Sequence, residues 1–240
     1  KPVSGWRKQP FTPKNENGKL YGLGSNDAGA SLVSLFQVYR HLSMTTQSYN
    51  LIFLASCEEE VSGKNGIESV LPQLPPIALG VVGEPTEMQP AIAEKGLMVL
   101  DVTARGKSGH AARNEGENAI YKLLPDIEWF RTYKFPKESP ILGPVKMSVT
   151  QINAGTQHNV IPDLCSIVVD IRSNECYSNE ELFAEICQHI QSEAKARSFR
   201  LNSSSIPSDH PFVKRAIELG KVPFGSPTLS DQALMPFPSV

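Results

Sequence analysis

The chain has 240 residues, enough for one large domain or two modest ones. Its 23 lysines and arginines against 25 aspartates and glutamates give a net charge of -2, which excludes the positive field of a nucleic-acid or membrane-surface binder. No apolar run is long enough to span a bilayer, and four cysteines without CxxC spacing are typical of a reduced, cytoplasmic protein. Because Lys1 rather than Met opens the chain, we expect a fragment.

The first predicted helix follows a glycine-rich turn. Residues 1–20 are rich in Pro, Asn and Lys and predict a loop, and residues 31–42 repeat apolar side chains at helical spacing. Asp27 therefore lies near a helix N-terminus, either as a functional carboxylate or as an ordinary N-cap. A dinucleotide-binding loop is excluded, since Asp27 stands where the third glycine belongs and would repel a pyrophosphate.

Two apolar segments predict buried strands that end in carboxylates. Residues 51–54 (LIFL) run into Glu58, Glu59 and Glu60, and residues 77–82 (IALGVV) run into Glu84. Strand ends of one α/β sheet converge on one crevice, and clustered carboxylates need a cation or a proton to coexist. This indicates a metal site, with a solvated acidic turn as the alternative for the cluster and a plain loop carboxylate as the alternative for Glu84.

Residues 91–205 show the order βαββαβ. Strands at 96–106, 145–155, 165–173 and 198–205 alternate with helices at 119–130 and 180–196. This order predicts a ferredoxin-like sandwich, an antiparallel sheet with two helices on one face. Because a new helix begins after Pro207, the sandwich interrupts an α/β domain made of residues 1–90 and 206–240.

Three positions in this insert carry candidate functional groups. His110 lies in a loop of small residues, where it either meets a ligand or is simply exposed. Asn159 lies in a polar loop that is otherwise a self-capping turn. Arg172 follows Asp170 on a strand, so its guanidinium either grips a substrate carboxylate or pairs with Asp170.

Together these segments resemble the M20 metallopeptidase family, in the branch of acetylornithine deacetylase and succinyl-diaminopimelate desuccinylase. The motifs, in the family's order, are GLGSNDAGA, SCEEEVSGKNG, VVGEPT, GKSGHAA, NVIPD, DIR and Ser230-Asp231. The resemblance covers nearly the whole chain. It implies an α/β fold: a zinc-peptidase-like catalytic domain, with a mixed sheet flanked by helices, interrupted by a ferredoxin-like lid or dimerisation domain.

The resemblance also implies roles for the carboxylates. Asp27 corresponds to the residue that bridges two metal ions, Glu60 ligates one ion and Glu84 the other. Glu59 corresponds to the general base, and Glu58 to the acidic residue before it. The cofactors implied are two Zn2+, with Co2+ or Mn2+ as substitutes. The family's remaining ligands are two histidines that we expect beyond the two ends of this chain, so the fragment alone is expected to bind metal poorly.

The lid residues have implied roles as well. His110 resembles the histidine that reaches the active site of a neighbouring subunit to stabilise the oxyanion, while Asn159 and Arg172 match residues that contact the carboxylate end of the substrate. The expected partners are a small N-acyl amino acid and a second copy of the chain bound through the lid domain, with no nucleic acid and no membrane.

The function implied is removal of an acetyl or succinyl group from an ornithine-like amino acid, in arginine biosynthesis. Two alternatives stay open: a di- or tripeptidase or carboxypeptidase of the same family, and a metal-free dimerisation or binding module.

Overall fold

A computed structural model describes residues 5–240. The strands are β1 (Lys14–Glu16), β2 (Lys19–Tyr21), β3 (Ala91–Glu94), β4 (Met98–Arg105), β5 (Gly109–His110), β6 (Lys146–Ala154), β7 (Val160–Ile161), β8 (Leu164–Arg172), β9 (Glu193–Ala196), β10 (Ser204–Ser205) and β11 (Phe224–Ser226). The α-helices are α1 (Gly29–Ser43), α2 (Ile67–Val70), α3 (Ala119–Thr132), α4 (Asn179–His189) and α5 (Pro211–Glu218). Short 3-10 helices occupy Glu59–Val61, Leu71–Gln73 and Asp231–Leu234. Among the helices of residues 5–240, none combines the length and apolar character that a bilayer crossing requires.

The described backbone forms two compact units. The first holds the residues up to Pro76 together with Val81–Gln89, and the second holds Ile77–Gly80 and Pro90–Val240. The second unit has two hydrophobic cores, a large one within the predicted lid domain and a small one of four buried side chains: Ile92, Ile206, Val213 and Val240. The small core is separate from the large one, and the assignment of residues 206–240 to a catalytic domain stays a prediction.

The predicted ferredoxin-like sandwich is present in the second unit. Its chain order is β4, α3, β6, β8, α4 and β9, and its sheet order is β6-β8-β4-β9 with every pair antiparallel. Side chains of β4 and β8 are buried at every second position, as the alternation in the sequence predicts. The buried set comprises Met98, Leu100, Val102 and Ala104 on β4 and Cys165, Ile167, Val169 and Ile171 on β8.

The two helices cover that buried face. Leu123 of α3 and Leu182 and Ile186 of α4 are fully buried in the same core as the strand residues. Each such side chain contributes about 1.5–3 kcal/mol through the removal of apolar surface from water. The opposite face of the sheet carries the alternate residues, which include charged side chains.

The last helix and strand of the sandwich differ from the prediction. The sequence predicts a helix through residue 196 and a strand over 198–205, but α4 ends at His189 and the edge strand is β9. The physical reason is Asp126, a buried residue of α3 whose carboxylate accepts the backbone N–H groups of Gln191 and Ser192, both at 3.0 Å. Those N–H groups cannot also continue the helix, and the following residues pair with β4.

The predicted N-terminal loop contains a hairpin that the sequence analysis missed. Strands β1 and β2 are antiparallel and joined by Asn17 and Gly18, whose φ angles are 53° and 74°. Two consecutive positive φ values define the hairpin turn that Asn-Gly favours, so the Asn-Gly pair was the available signal.

The prediction of two buried apolar strands before Glu58 and Glu84 is wrong: neither segment forms a strand in the part of the chain that the structure describes. Residues 51–54 have no ladder partner and Ile52 is exposed, while residues 77–82 form only one isolated bridge, from Gly80 to Ser239. A buried strand requires hydrogen-bonded neighbours on both sides, and no described segment supplies them here. Phe53 instead packs its ring against Phe36 and Tyr39 of α1, at centroid distances of 5.2 and 5.9 Å.

A buried carboxylate joins β3 to the C-terminal part of the second unit. Glu94 is 4% exposed, and its Oε2 accepts the N–H and the hydroxyl of Ser230, both at 2.9 Å. Its Oε1 accepts the side-chain amide of Gln232 at 2.9 Å. Burial raises the pKa of Glu94, and the three donors oppose this shift without cancelling it.

This raised pKa makes stability depend on pH in a defined direction. The folded protein holds the Glu94 proton more tightly than the unfolded chain, so the free energy of unfolding is expected to fall as pH rises from the ordinary glutamate pKa of 4.5 through the raised one, and then to level off. Urea unfolding across this range checks it, with the Glu94→Gln variant as the reference. The prediction fails if the difference between the two proteins is independent of pH or has the opposite slope.

Candidate functional site

Asp27 lies in a tight turn immediately before α1. The N–H of Gly29 donates to the carbonyl of Gly24 at 2.9 Å, and a Cβ at Gly29 would come within 2.4 Å of that oxygen, so a glycine is required there. The N-cap of α1 is Ala28, with no side-chain hydrogen bond. Asp27 is therefore not the N-cap, and its exposed carboxylate does not cap the first turn of α1.

The loop that carries Glu84 docks on the same helix end. The hydroxyl of Ser31 donates to the carbonyl of Glu84 at 3.2 Å. Gly83 lies so close to α1 that an added Cβ would meet a methyl group of Leu35 at 2.8 Å. The structure thus brings the backbone segments of Asp27 and Glu84 together at the N-terminal end of α1, although the two are 57 residues apart in sequence.

The three consecutive glutamates form a turn rather than a strand end. Glu58 has a φ of 63°, and Glu59–Val61 is a 3-10 helix. Glu59 and Glu60 therefore do not alternate between two faces as neighbouring strand residues would. Glu58 curls back over the loop, where its carboxylate accepts the backbone and side-chain N–H groups of Asn65, both at 3.2 Å. Glu59 is half-buried, and Glu60 is exposed.

Carboxylates are suitable ligands for a divalent cation, so the donor types are right for a metal. Within residues 5–240, however, no three side chains of His, Cys, Asp or Glu are gathered into a group that could hold a metal ion. The metal roles of Asp27, Glu60 and Glu84 therefore stay a proposal.

His110 and Asn159, which are distant in sequence, lie side by side. Strands β5 and β7 are antiparallel with His110 opposite Val160, and the N–H of Ala111 donates to the carbonyl of Asn159 at 2.9 Å. The Nδ1 atom of His110 accepts the N–H of Ala112 at 3.2 Å. An accepting Nδ1 places the proton of a neutral imidazole on Nε2, so the exposed ring presents Nε2–H as a donor.

Arg172 pairs with Asp170, which is one of the two possibilities that the sequence left open. Its Nε and Nη2 donate to the two carboxylate oxygens of Asp170 at 2.8 and 3.2 Å. Both side chains are 30% exposed, so the pair remains accessible from solvent. Its substrate-binding role stays a proposal.

Arg172 and the pair of His110 and Asn159 lie at opposite ends of β8. Asn159 comes just before β7, which leads into β8 at Leu164, whereas Arg172 is the last residue of that strand. The eight steps from Leu164 to Arg172 span roughly 26 Å at a strand rise of about 3.3 Å per residue. A single small substrate cannot touch both ends of one β8.

Two residues of the second unit were missed by the sequence analysis. Glu94 lies outside the strands that the sequence predicts, and nothing local to AIAEKG indicates that Ser230 and Gln232 surround it. Asp170 was considered only as a competitor for Arg172. The i, i+2 spacing, which puts both on one face of a strand, was the available signal for a joint role.

The sequence comparisons point to peptidases and deacylases. Residues 92–198 match the family model described as the peptidase dimerisation domain. The chain is 30% identical over 176 residues to an acetylornithine deacetylase of Proteus mirabilis, covering 70% of this chain and 45% of the relative. It is 29% identical over 190 residues to a succinyl-diaminopimelate desuccinylase of Paracidovorax citrulli, covering 73% of this chain and 48% of the relative. The chain spans about half the length of these curated relatives.

Solved structures share the fold at low identity. The aminopeptidase PepT of Bacillus cereus aligns with a TM-score of 0.70 and 19% identity, covering 95% of this chain and 66% of the other. An M20 metallo-carboxypeptidase of Sulfolobus solfataricus aligns with a TM-score of 0.64 and 18% identity, covering 98% and 69%. These structures show the fold, while the dimerisation-domain match and the deacylase relatives confirm the resemblance seen in the motifs: the chain belongs to the M20 metallopeptidase family, in the branch of acetylornithine deacetylase and succinyl-diaminopimelate desuccinylase.

Proposed function

We propose that the full-length protein is a metal-dependent amidohydrolase that removes an acetyl or succinyl group from the amino group of an ornithine-like amino acid. The relatives named above support the reaction class. The four cysteines, all unpaired, support a reducing, cytoplasmic location. We propose that this reaction belongs to arginine biosynthesis.

The observation that carries this proposal is the orientation of the His110 imidazole, whose Nδ1 accepts a backbone hydrogen bond while the ring stays exposed. Hydrolysis of an amide develops negative charge on the carbonyl oxygen, and a fixed N–H donor aimed at that oxygen lowers the barrier by about 3–4 kcal/mol. His110 has its Nδ1 engaged by Ala112 and its Nε2 exposed. It therefore suits the role of oxyanion donor, with the adjacent Asn159 as a polar contact for the substrate.

Glu59 is proposed as the general base, and Asp27, Glu60 and Glu84 as ligands of two zinc ions, for which cobalt or manganese could substitute. Glu59 would take a proton from the attacking water and return it to the departing amine. The ligand role requires the three carboxylates to gather when a cation is present, because a cation offsets their mutual repulsion.

A homodimer through the lid domain is proposed for two reasons. One edge of β6 has no strand partner among the described residues, and a long exposed edge is suited to pairing with another chain. An N-acyl amino acid, which is about two residues long, spans roughly 7 Å along its backbone. Because β8 is much longer, His110 and Arg172 would have to come from different chains to contact one substrate.

The substrate is tested by comparing hydrolysis of N-acetyl- and N-succinyl-L-ornithine with hydrolysis of a dipeptide and tripeptide panel, by the full-length protein supplied with zinc. Faster turnover of the acyl-ornithines is expected. Faster cleavage of the peptides would instead assign the protein as a peptidase, and no turnover together with no bound metal would favour a non-catalytic module.

Replacement of Glu59 by Gln tests the base. The amide cannot accept the proton, so we expect kcat to fall by about 10²–10⁴-fold while the zinc content by elemental analysis is unchanged. Glu87→Gln, at an exposed position on the loop after Glu84, is the control and should behave like the wild type. Near-normal turnover of the Glu59 variant would overturn its assignment as the base.

Composite active sites are tested with a tagged heterodimer of Glu59→Gln and His110→Ala chains. Each homodimer should be nearly inactive, whereas the co-expressed, doubly purified heterodimer holds one complete site and should reach about half the wild-type rate per dimer. A heterodimer no more active than either homodimer would show that the two residues act within one chain.

A further inference from the structure

We propose that Asp170 is a positioning residue: its ion pair fixes the guanidinium of Arg172 so that the remaining edge binds the carboxylate of the substrate in two-point fashion. This inference rests on the proposed function and adds the residue that gives the site its preference for carboxylate substrates. The strand places the two side chains for this purpose, because residues two apart lie on the same face of a sheet.

The hydrogen bonds of the pair leave one complete edge of the guanidinium open. Asp170 takes Nε–H and one N–H of Nη2. The second edge is formed by Nη1 and the other N–H of Nη2, and among the residues that the structure describes Nη1 makes no hydrogen bond. A guanidinium with one edge fixed loses little rotational freedom when the other binds a carboxylate, whose two oxygens match the fork.

Asp170 balances part of the positive charge of the Arg172 guanidinium, but neighbouring lysines keep the open edge attractive to an anion. Lys146 of β6 lies directly opposite Arg172 in the sheet register. Lys95 is close enough that Lys146, after the larger effect of burial, lowers its pKa, while Glu175 opposes that shift. Lys146 thus adds positive charge beside Arg172, which favours the binding of an anion such as a substrate carboxylate.

Ser148 faces Asp170 from the neighbouring strand β6, and Val99 faces it from β4. Because both of these cross-strand neighbours are uncharged, neither gives Asp170 a second cation to pair with. The alignment of Arg172 therefore depends on its own pair with Asp170, and loss of that pair would leave a long flexible side chain beside Lys146.

The test is a kinetic comparison of Asp170→Asn with the wild type on two probes, N-acetyl-L-ornithine and its carboxamide, in the full-length protein supplied with zinc. For the acid, we expect KM to rise about tenfold with kcat within about twofold of the wild type, because the guanidinium still binds but is no longer aligned. For the carboxamide, both constants should be unchanged, since no carboxylate is present to bind.

Glu128→Gln is the matched control. Glu128 accepts Nε and Nη2 of Arg131 at 2.8 and 2.6 Å, which is the same two-point pairing on an exposed helix surface. This variant should leave both probes unaffected. A double variant of Asp170→Asn with Arg172→Lys should be no worse on the acid than Arg172→Lys alone, since Asp170 acts through Arg172.

The outcomes separate the two proposals. If the wild type hydrolyses neither probe, the proposed function fails and this inference falls with it. If the wild type prefers the acid and the Asp170 variant retains the same preference, the proposed function stands and the positioning role is overturned. Equal loss on acid and carboxamide also overturns it, because that pattern indicates a purely structural role, which thermal unfolding of the variant would confirm.

Discussion

The alternation of side chains along β4 and β8 is the constraint on which the second unit depends. Every second residue of these strands is apolar and buried beneath α3 and α4, and the intervening residues are polar or half-exposed. A slip of one residue in the register would turn the apolar set to solvent, so the core fixes the register. Asp170 and Arg172 share the opposite face because they lie two residues apart on β8, and the register places Lys146 opposite Arg172. The charged face is thus a consequence of the hydrophobic one.

In the first unit, α1 organises the segments that carry the carboxylates. The Glu84 loop docks at the beginning of α1 through Ser31 and Leu35, and Phe53 packs against its middle. No residue of α1 is buried, although its sequence is amphipathic. The turn that holds Asp27 and the loop that holds Glu84 are thus close in their backbones, although residues 5–240 contain no group of three His, Cys, Asp or Glu side chains that could hold a metal ion.

The polar groups of the second unit divide into those with internal partners and those that face solvent. Asp126 and Glu94 are buried carboxylates whose oxygens accept backbone or side-chain N–H and O–H groups, and they tie elements together. His110 and Asn159, by contrast, are exposed at the end of a two-stranded ribbon. Exposure on a rigid backbone is what a group that meets a substrate or a second chain needs.

The sequence by itself determined the sandwich, since its alternation and its βαββαβ order follow from local periodicity, and it determined the motif order that identifies the family. It predicted His110, Asn159 and Arg172 as separate candidates. Only the tertiary structure decided that His110 adjoins Asn159 and that Arg172 lies at the other end of β8. It also replaced the two predicted strands before Glu58 and Glu84 by irregular segments. Strand pairing and burial depend on partners distant in the chain, and a local apolar run cannot show whether those partners are present.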